Sequence, residues 1–559
     1  MKISGSKIVV ETLIEQGCDV VFGYPGGQVI NLFDELYKYR DKITHILTAH
    51  EQGAAHAADG YARATGKAGV VIATSGPGAT NLVTGIATAH LDSVPLVAIT
   101  GNVPCSLIGC DSFQEVDIMG ITMPITKHNY IVKDITKLAD TIRQAFKIAK
   151  SGRPGPVLVD IPKDIQTAEC EFERREGAVC AAPVLKVAED RLREIAEIIN
   201  ESERPYIYCG GGMISGDATK ELLAFADKTD AYIGCSMMGI SAVPADNPRF
   251  LGMNGMHGHY ASSVAQNEAD LIIAAGVRFS DRATGNKSKF APNARIIHID
   301  IDNAELQKNI NAYIGAAGDI KDALSRLYDM VCEKKHTEWA QRIEELKQKE
   351  STFIKPSGSL TPYNIIDIIS GETGADTIVA TDVGQHQMWT AQRYPFKKPR
   401  TFISSGGLGT MGFGMGAAIG SHIATNEKVV LITGDGSFGM NLNELATAVS
   451  FNIPMVIVIM NNGVLGMVRQ IQTLFFDKHY SNTTLNRKTD FVKVAEGFGA
   501  KGYRAKTTEE FEAAFKQAFA QCSASPVVID CHIDCDEFVL PMLPPGGSID
   551  DIITEIRED

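Results

Sequence analysis

The sequence lacks any long uninterrupted apolar run. None of its apolar stretches approaches the ~18 residues that a membrane-spanning helix needs, and one of the longest, residues 454–460, has the length of a buried strand. The first residues, Met-Lys-Ile-Ser-Gly-Ser-Lys, contain no apolar segment typical of a secretory signal. We therefore expect a cytoplasmic protein that does not associate with membranes.

Positive charge and paired cysteines are also scarce. The net charge is −14, with 53 Lys and Arg against 67 Asp and Glu, which is the opposite of the balance that nucleic-acid binding requires. The 11 cysteines include no CxxC pair. The closest spacings, Cys531/Cys535 and Cys105/Cys110, have no histidines placed as zinc ligands. We expect free thiols in a reducing compartment, and no nucleic-acid partner.

The length and the order of apolar segments predict several α/β domains. At 559 residues the chain is too long for one hydrophobic core. Short apolar runs alternate with amphipathic stretches of helical length, which is typical of doubly wound parallel sheets. We predict domains at 1–168, 186–335 and 360–545 with a tail at 546–559, a linker within 170–184 and a boundary at 356–362. The first and third domains share one pattern and flank a different middle domain.

The predicted strands are the buried apolar runs of each domain. They lie at 20–22, 43–47, 70–73, 96–99 and 157–159 in the first domain, at 206–208, 231–234, 271–275 and 296–301 in the second, and at 378–381, 429–433 and 455–460 in the third.

A candidate metal site lies in the third domain. The strand at 429–433 runs into Gly434-Asp435-Gly436-Ser437, and the next strand ends at Asn461-Asn462. Parallel strands present their carboxyl ends at one sheet edge, where α/β proteins bind ligands, so a carboxylate and an amide oxygen should lie side by side. Such oxygen ligands suit Mg²⁺. Gly-Asp-Gly alone is common in plain turns, but with Asn-Asn at this spacing it resembles the thiamine-diphosphate-binding signature.

This resemblance assigns roles to the residues of the two motifs. It implies that Mg²⁺ is ligated by Asp435, Asn462 and the carbonyl of Val464. It also implies that the diphosphate is contacted by Gly434, Gly436 and Ser437.

A candidate catalytic carboxylate lies in the first domain. The strand at 43–47 leads to Ala49-His50-Glu51, where a helix opens. A glutamate in the first turn of a helix is favoured by the helix dipole without any function. Thiamine chemistry, however, needs a glutamate that hydrogen-bonds the aminopyrimidine ring so that the C2 proton is removed. With the metal motif present elsewhere in the chain, we assign this catalytic role to Glu51.

Nearly the whole chain resembles the large subunits of acetohydroxyacid (acetolactate) synthases. The resemblance is carried by residues 21–27 (VFGYPGG), 50–54 (HEQGA), 73–81 (ATSGPGATN), 113–117 (FQEVD), 125–129 (ITKHN), 252–258 (GMNGMHG), 405–414 (SGGLGTMGFG) and 541–546 (PMLPPG). It implies that pyruvate is decarboxylated on thiamine diphosphate. The two-carbon unit would pass to a second 2-keto acid, giving 2-acetolactate or 2-aceto-2-hydroxybutyrate for branched-chain amino acid biosynthesis. A FAD-dependent pyruvate oxidase and a 2-keto-acid decarboxylase are the alternatives.

The resemblance also distributes roles around the cofactor. Gly27 would offer its backbone near the reacting carbonyl. Gln114 and Lys127 would line the substrate end of the pocket. Met411 would wedge between the two thiamine rings, although an ordinary core methionine is the plain alternative. Further cofactor contacts would come from Gln385, His386 and Gly409.

The middle domain is a candidate flavin domain. It contains no GxGxxG, and its Gly210-Gly211-Gly212 fits a structural turn as well as a nucleotide site. The resemblance implies a structural FAD and a Rossmann-like FAD-binding domain, and Arg278 has a second candidate role at the carboxylate of the acceptor substrate. Ser280 departs from the family, which has Asp at this position. The implied FAD contacts are Arg153, Gly211, Met256, His257, Gly276, Arg278, Asp300 and Asp319.

The resemblance implies an assembly as well. In this family the first domain of one subunit meets the third domain of another, so the chain is expected to form a homodimer or homotetramer with active sites at the dimer interface. A small regulatory subunit is a possible partner. Ile471 stands where the family usually has a tryptophan that favours 2-ketobutyrate as acceptor, so we predict a shift towards pyruvate as acceptor.

Overall fold

The computed structural model describes residues 1–175, 184–353, 360–523 and 525–556. It contains three six-stranded sheets, in which every strand pairing is parallel, and a two-stranded antiparallel ribbon of Lys2–Ser4 and Glu169–Glu171. The predicted fold class, three parallel α/β domains, is confirmed. Parts of the predicted linker at 170–184, of the boundary at 356–362 and of the tail at 546–559 lie outside the described residues, and the domain limits stay predictions.

The first sheet contains all five strands predicted for this part of the chain, together with one that was not predicted. In spatial order its strands are Thr44–Leu47, Val20–Tyr24, Gly69–Ala73, Leu96–Asn102, Pro156–Pro162 and His128–Ile131. The helices around it are Gly5–Glu15, Ile30–Lys38, Glu51–Thr65, Pro77–Asn81, Val83–Leu91, Ile118–Thr122, Leu138–Lys150 and Lys163–Thr167.

The third sheet repeats this topology. When the strands of each sheet are numbered along the chain, both sheets have the order 2-1-3-4-6-5, which supports the predicted kinship of the two domains. The strands, in spatial order, are Phe402–Ile403, Ile378–Thr381, Val429–Gly434, Met455–Asn461, Val527–His532 and Lys501–Ala505. The helices are Pro362–Glu372, Gln385–Arg393, Phe413–Thr425, Asp435–Asn441, Glu444–Ser450, Gly466–Phe475, Phe491–Gly497 and Thr508–Gln521.

The middle sheet has a different topology, with the order 3-2-1-4-5-6 that dinucleotide-binding folds use. The strands, in spatial order, are Phe250–Met253, Tyr232–Cys235, Pro205–Cys209, Leu271–Ala275, Arg295–Asp300 and Ile314–Ala317. The helices are Glu189–Glu201, Gly211–Ser215, Thr219–Thr229, Tyr260–Glu268, Asp281–Thr284, Ile320–Met330 and Thr337–Glu350. The strand order reverses between Pro205–Cys209 and Leu271–Ala275, and a ligand of such a sheet binds at that reversal.

Two helices join the first and third domains of the same chain. Glu51–Thr65 packs along Phe413–Thr425 with small residues on both sides of the contact. A Cβ added to Gly416 would lie 2.6 Å from the carbonyl oxygen of Gly53. A Cβ on Gly420 would collide with the carbonyl of Ala57. Because the backbones touch, the two helices have little freedom to shift against each other.

No helix in the described ranges combines the length and the apolar character that a membrane crossing requires. Cytoplasmic localisation stays a prediction. The described part of the predicted tail contains a 3-10 turn, Ile549–Asp551, in which Ser548 and Asp551 cap each other.

Candidate active site

The predicted metal motifs meet at one edge of the third sheet. Val429–Gly434 pairs in parallel with Met455–Asn461, with Gly434 opposite Met460. Asp435 and Asn462 therefore leave neighbouring strands at the same end. The amide oxygen of Asn462 accepts a hydrogen bond from the backbone N–H of Val464 at 3.1 Å. Burial raises the pKa of Asp435 to about 6, and a bound cation would offset that unfavourable burial of charge.

The predicted diphosphate residues lie beside this edge. The hydroxyl of Ser437 donates to the carbonyl of Val383 at 2.8 Å. His386 is buried, its Nε2 has no partner within the described part of the chain, and burial lowers its pKa to about 3. A neutral imidazole with one unsatisfied nitrogen fits a hydrogen bond to a bound ligand. Gln385 instead is engaged: its amide oxygen accepts from Nδ2 of Asn462 at 3.3 Å.

Asp382 bonds the glycine-rich segment to this edge. Its carboxylate is fully buried and accepts from the N–H of Gly412 at 2.7 Å and of Gly414 at 3.2 Å. Its other oxygen accepts from the hydroxyl of Thr433 at 3.0 Å. Gly412 has φ +86°, a conformation that favours glycine. Sequence reasoning missed this role of Asp382, although its place directly after a predicted strand was a usable signal.

These bonds determine where Met411 lies. A Cβ added to Gly436 would be 3.7 Å from Cε of Met411 and 3.0 Å from Cδ2 of Leu465. The thioether therefore lies over the Gly-Asp-Gly turn rather than in a domain core. Gly409, with φ +71°, lets the chain turn just before it. This arrangement fits the wedge role better than the role of an ordinary core residue.

Glu51 opens the helix Glu51–Thr65, as predicted. It is half-buried, and its carboxylate accepts from Nδ2 of Asn81 at 2.9 Å. A Cβ added to Gly78 would lie 3.3 Å from the same carboxylate. Both neighbours belong to the first domain. Within the described residues of one chain, no hydrogen bond or ion pair joins Glu51 to Asp435.

Among the described residues, no hydrogen bond or ion pair joins the three predicted substrate residues to one another. Gly27 is exposed, and its carbonyl accepts from Nζ of Lys163 at 3.1 Å. Gln114 has φ +60° and its backbone packs on Gly76. Lys127 donates to the carbonyls of Ser151, at 2.6 Å, and Ile148, at the end of helix Leu138–Lys150. Burial lowers the pKa of Lys127 to about 8, so its ammonium lies in a poorly solvated place.

The predicted flavin residues include one conspicuous unpaired cation. Across the described residues, the guanidinium of Arg278 makes no hydrogen bond or ion pair, and burial lowers its pKa. Arg153, by contrast, donates to Oε1 of Glu305 at 2.7 Å and to Oγ of Ser93 at 2.8 Å. Burial raises the pKa of the neighbouring Asp300 to about 6. A part-buried arginine without a partner indicates an anionic ligand.

The remaining flavin residues divide into packed and open positions. Gly276, with φ +55°, accepts from the N–H of Gly212 at 3.0 Å, so this glycine pair packs at the strand reversal. A Cβ added to Gly211 would lie 3.3 Å from the Cβ and from the carbonyl oxygen of Met238, so this position is more open. Asp319 accepts from the N–H of Asp322 at 2.9 Å and caps helix Ile320–Met330. Capping explains Asp319 without a ligand.

The loop with Met256 and His257 closes on the end of the chain. The carbonyl of Met256 accepts from the N–H of Leu543 at 2.7 Å. Its thioether lies 3.5 Å from a guanidinium nitrogen of Arg282. His257 is buried, and burial lowers its pKa to about 4.

Comparison with known families covers all three domains. Models of the thiamine pyrophosphate enzyme family match residues 3–121 (N-terminal TPP binding domain), 192–327 (central domain) and 382–531 (C-terminal TPP binding domain). A probable acetolactate synthase large subunit of Methanocaldococcus jannaschii is 45% identical, covering 99% of this chain and 96% of its own. The Haemophilus influenzae acetolactate synthase large subunit is 42% identical, covering 99% of this chain and 98% of its own. The Escherichia coli acetolactate synthase isozyme 2 large subunit is 44% identical, covering 99% of this chain and 100% of its own.

The chain belongs to the acetolactate synthase large-subunit family. The family predicted from the sequence is thus confirmed, and with it the class of thiamine-diphosphate-dependent enzyme. The family models that match the two outer domains describe them as TPP binding domains. The roles of single residues stay predictions.

Proposed function

We propose that this chain decarboxylates pyruvate and transfers the two-carbon unit to a second 2-keto acid, giving 2-acetolactate or 2-aceto-2-hydroxybutyrate. Thiamine diphosphate, when bound, supplies the electron sink for both steps. The meeting of Asp435 and Asn462 at one sheet edge supports the thiamine-diphosphate chemistry, and the full-length match to acetolactate synthase large subunits supports the transfer to a second 2-keto acid. An acetolactate assay with pyruvate tests it. Flavin reduction by pyruvate would instead indicate an oxidase, and aldehyde release a simple decarboxylase.

In this proposal Mg²⁺ is held by Asp435, Asn462 and the carbonyl of Val464. His386, Ser437 and the glycines of the turn orient the diphosphate, and Met411 supports the bent cofactor. The buried Asp435 carboxylate supports a cation at this place. Removal of divalent cations with a chelator should abolish acetolactate formation, and Mg²⁺ should restore it. Full activity in the chelated enzyme would contradict the metal assignment.

We propose that Glu51 moves a proton at the aminopyrimidine ring of cofactor held by the partner subunit. The support is that the two neighbours of Glu51 lie in its own domain, apart from the metal site of the same chain. Glu51→Ala and Asp435→Ala are each expected to be inactive. Mixed subunits should regain part of the activity, because one of the two sites is then intact. No recovery would contradict the shared site.

We propose that FAD binds at the strand reversal of the middle domain as a structural group. The strand order and the unpaired Arg278 support a phosphate-bearing ligand there. The purified protein should carry about one FAD per chain without flavin reduction during turnover. Colourless protein with full activity would contradict this assignment. In that case, the carboxylate of the acceptor substrate is the better ligand for Arg278.

We propose pyruvate as the favoured acceptor because of Ile471. Ile471→Trp should raise the share of 2-aceto-2-hydroxybutyrate when pyruvate and 2-ketobutyrate compete. A wild-type enzyme that already strongly prefers 2-ketobutyrate would contradict the proposal.

We also propose that the chain binds a small regulatory subunit, since its relatives are named large subunits. Co-purification of a second, smaller chain with the tagged protein from its own host is the test.

A further inference from the structure

Glu444 is a buried carboxylate in the third domain that contacts the catalytic helix of the first domain. It is fully buried at the start of helix Glu444–Ser450. Its Oε2 accepts from the backbone N–H of Ala49 at 3.2 Å, and its Oε1 accepts from the N–H of His50 at 3.0 Å. The hydroxyl of Thr447 donates to Oε2 at 2.6 Å. Glu444 thus bonds the two residues immediately before Glu51.

This contact leaves no room for adjustment. A Cβ added to Gly53 would collide with the Glu444 carboxylate, whose Cγ would lie only 2.7 Å away. The helix behind Gly53 is in backbone contact with Phe413–Thr425 of the same third domain. The direction in which Glu51 leaves the strand edge is therefore determined by residues of its own chain's third domain.

A carboxylate suits this position better than any neutral side chain. Both of its oxygens accept hydrogen bonds, so both N–H groups before the helix are satisfied. Glutamine has the same shape but only one accepting oxygen, and its NH₂ would face a backbone N–H. Such a mismatch of two donors would push the Ala49-His50 backbone aside. The chain keeps a charge in a place where burial is unfavourable, and this indicates a demand for accurate geometry.

We propose that Glu444 is a positioning residue for Glu51. This inference rests on the proposed function, in which Glu51 serves cofactor held by the partner subunit. The third domain of each chain then orients the base of one active site while it binds the cofactor of the other. Each third domain thereby takes part in both sites of the dimer.

The first experiment measures the orientation of Glu51 directly. In enzyme loaded with thiamine diphosphate, exchange of the thiazolium C2 proton for deuterium reports how well the base acts. Glu444→Gln should slow this exchange, and lower kcat, by about ten- to a hundredfold. The KM for pyruvate and the affinity for thiamine diphosphate should change less than about twofold, because Glu444 touches neither. Exchange at the wild-type rate would overturn the proposal.

Glu350→Gln is the matched control. Glu350 also accepts from two successive backbone N–H groups, those of Tyr260 at 2.7 Å and Ala261 at 3.4 Å, at the start of a helix in the middle domain. Because Glu350 is half-buried, this variant should lose some thermal stability but keep wild-type C2 exchange. If Glu350→Gln slows exchange as much as Glu444→Gln, the effect is general destabilisation and the proposal fails.

The second experiment uses mixed dimers with two affinity tags. Glu444→Gln paired with Asp435→Ala should regain about half of the wild-type activity, because one site combines a well-placed Glu51 with an intact Asp435. Glu444→Gln paired with Glu51→Ala should stay slow. The opposite pattern would mean that Glu444 acts on the cofactor of its own chain, and would overturn the proposal. If Glu51→Ala and Asp435→Ala fail to complement, the shared site itself is wrong, and C2 exchange alone then decides the role of Glu444.

Discussion

Removing the Asp382 carboxylate should free the segment that carries Met411. In the wild type, this side chain accepts from the N–H groups of Gly412 and Gly414, which are otherwise buried without acceptors. A buried unsatisfied N–H costs about 1–3 kcal/mol. With two such groups, Asp382→Ala should lower the free energy of local opening of residues 405–414 by about 2–6 kcal/mol. That range corresponds to roughly 30-fold to 10⁴-fold faster exchange of these two amides.

Asp382→Asn is the matched variant. The asparagine oxygen is able to keep both glycine N–H groups, and its NH₂ is able to donate to the hydroxyl of Thr433. Hydrogen–deuterium exchange of the peptide spanning 405–414, followed by mass spectrometry, should therefore show fast exchange in Asp382→Ala and near-wild-type exchange in Asp382→Asn. The affinity for thiamine diphosphate should likewise fall clearly in Asp382→Ala and stay near the wild-type value in Asp382→Asn. Unchanged exchange in Asp382→Ala would refute the reasoning, because another group would then hold the segment.

Wild type and Asp382→Asn should differ in how their thermal stability depends on pH, because only the wild type has an ionisable carboxyl group at residue 382. Burial raises the pKa of Asp382 from 3.8 to about 6, so the folded protein binds this proton more tightly than the unfolded chain. The stability contributed by protonation is fully present below 3.8 and is lost as the pH rises through about 6. Asparagine has no such loss. The melting temperature of Asp382→Asn should therefore exceed that of the wild type most clearly above about pH 6, and the gap should close in acid.

Three further changes have definite expected outcomes. Gly53→Ala should displace Glu444 and reproduce the low kcat of Glu444→Gln with unchanged cofactor affinity; wild-type kcat would contradict the tight contact. Reductive methylation of Lys127, followed by peptide mass spectrometry, should reach its half-maximal rate near pH 8, because the pKa of Lys127 is about 8. Methylation of Lys38 should need a more alkaline pH, because Asp34 and Glu35 raise the pKa of Lys38. Arg278→Met should raise the melting temperature of the cofactor-free protein, because it removes a part-buried charge without a hydrogen-bond partner, and should lower FAD retention. A lower melting temperature would indicate that the arginine is satisfied within the protein.

The sequence predicted the inner strands and missed most of the edges. Every strand expected from a buried apolar run exists. Within the described residues, the three six-stranded sheets contain six unpredicted strands, and five of these lie at sheet edges: His128–Ile131, Phe250–Met253, Ile314–Ala317, Phe402–Ile403 and Lys501–Ala505. An edge strand has a partner on one side only and covers less of the core, so it needs no continuous apolar run. Lys501–Ala505, of which only Ala505 is buried, is an example.

The candidate site shows the same limit in another form. Asp435 and Asn462 were predictable because each follows an apolar strand, and the geometry of parallel sheets brings strand ends together. Glu444 was not predictable in this way. Its partners Ala49 and His50 precede it by 395 and 394 residues, and no local pattern encodes a pairing over that distance. Asp319 illustrates a different limit. It matches a family position for FAD binding, but its role as a helix cap already explains it without a ligand.

The contact between Glu51–Thr65 and the third domain has a consequence for the making of this protein. While the chain is being synthesised, the helix Glu51–Thr65 leaves the ribosome long before Glu444 exists. At about 5–20 residues per second, the 395 residues between Ala49 and Glu444 take roughly 20–80 s. For most of that time, until the helix Phe413–Thr425 has been made, the small-residue face with Gly53, Ala57 and Gly60 lacks its partner from its own chain. The first domain therefore cannot bury this face against its own chain until the carboxyl-terminal half has been made, and we expect the face to be open to a chaperone until then.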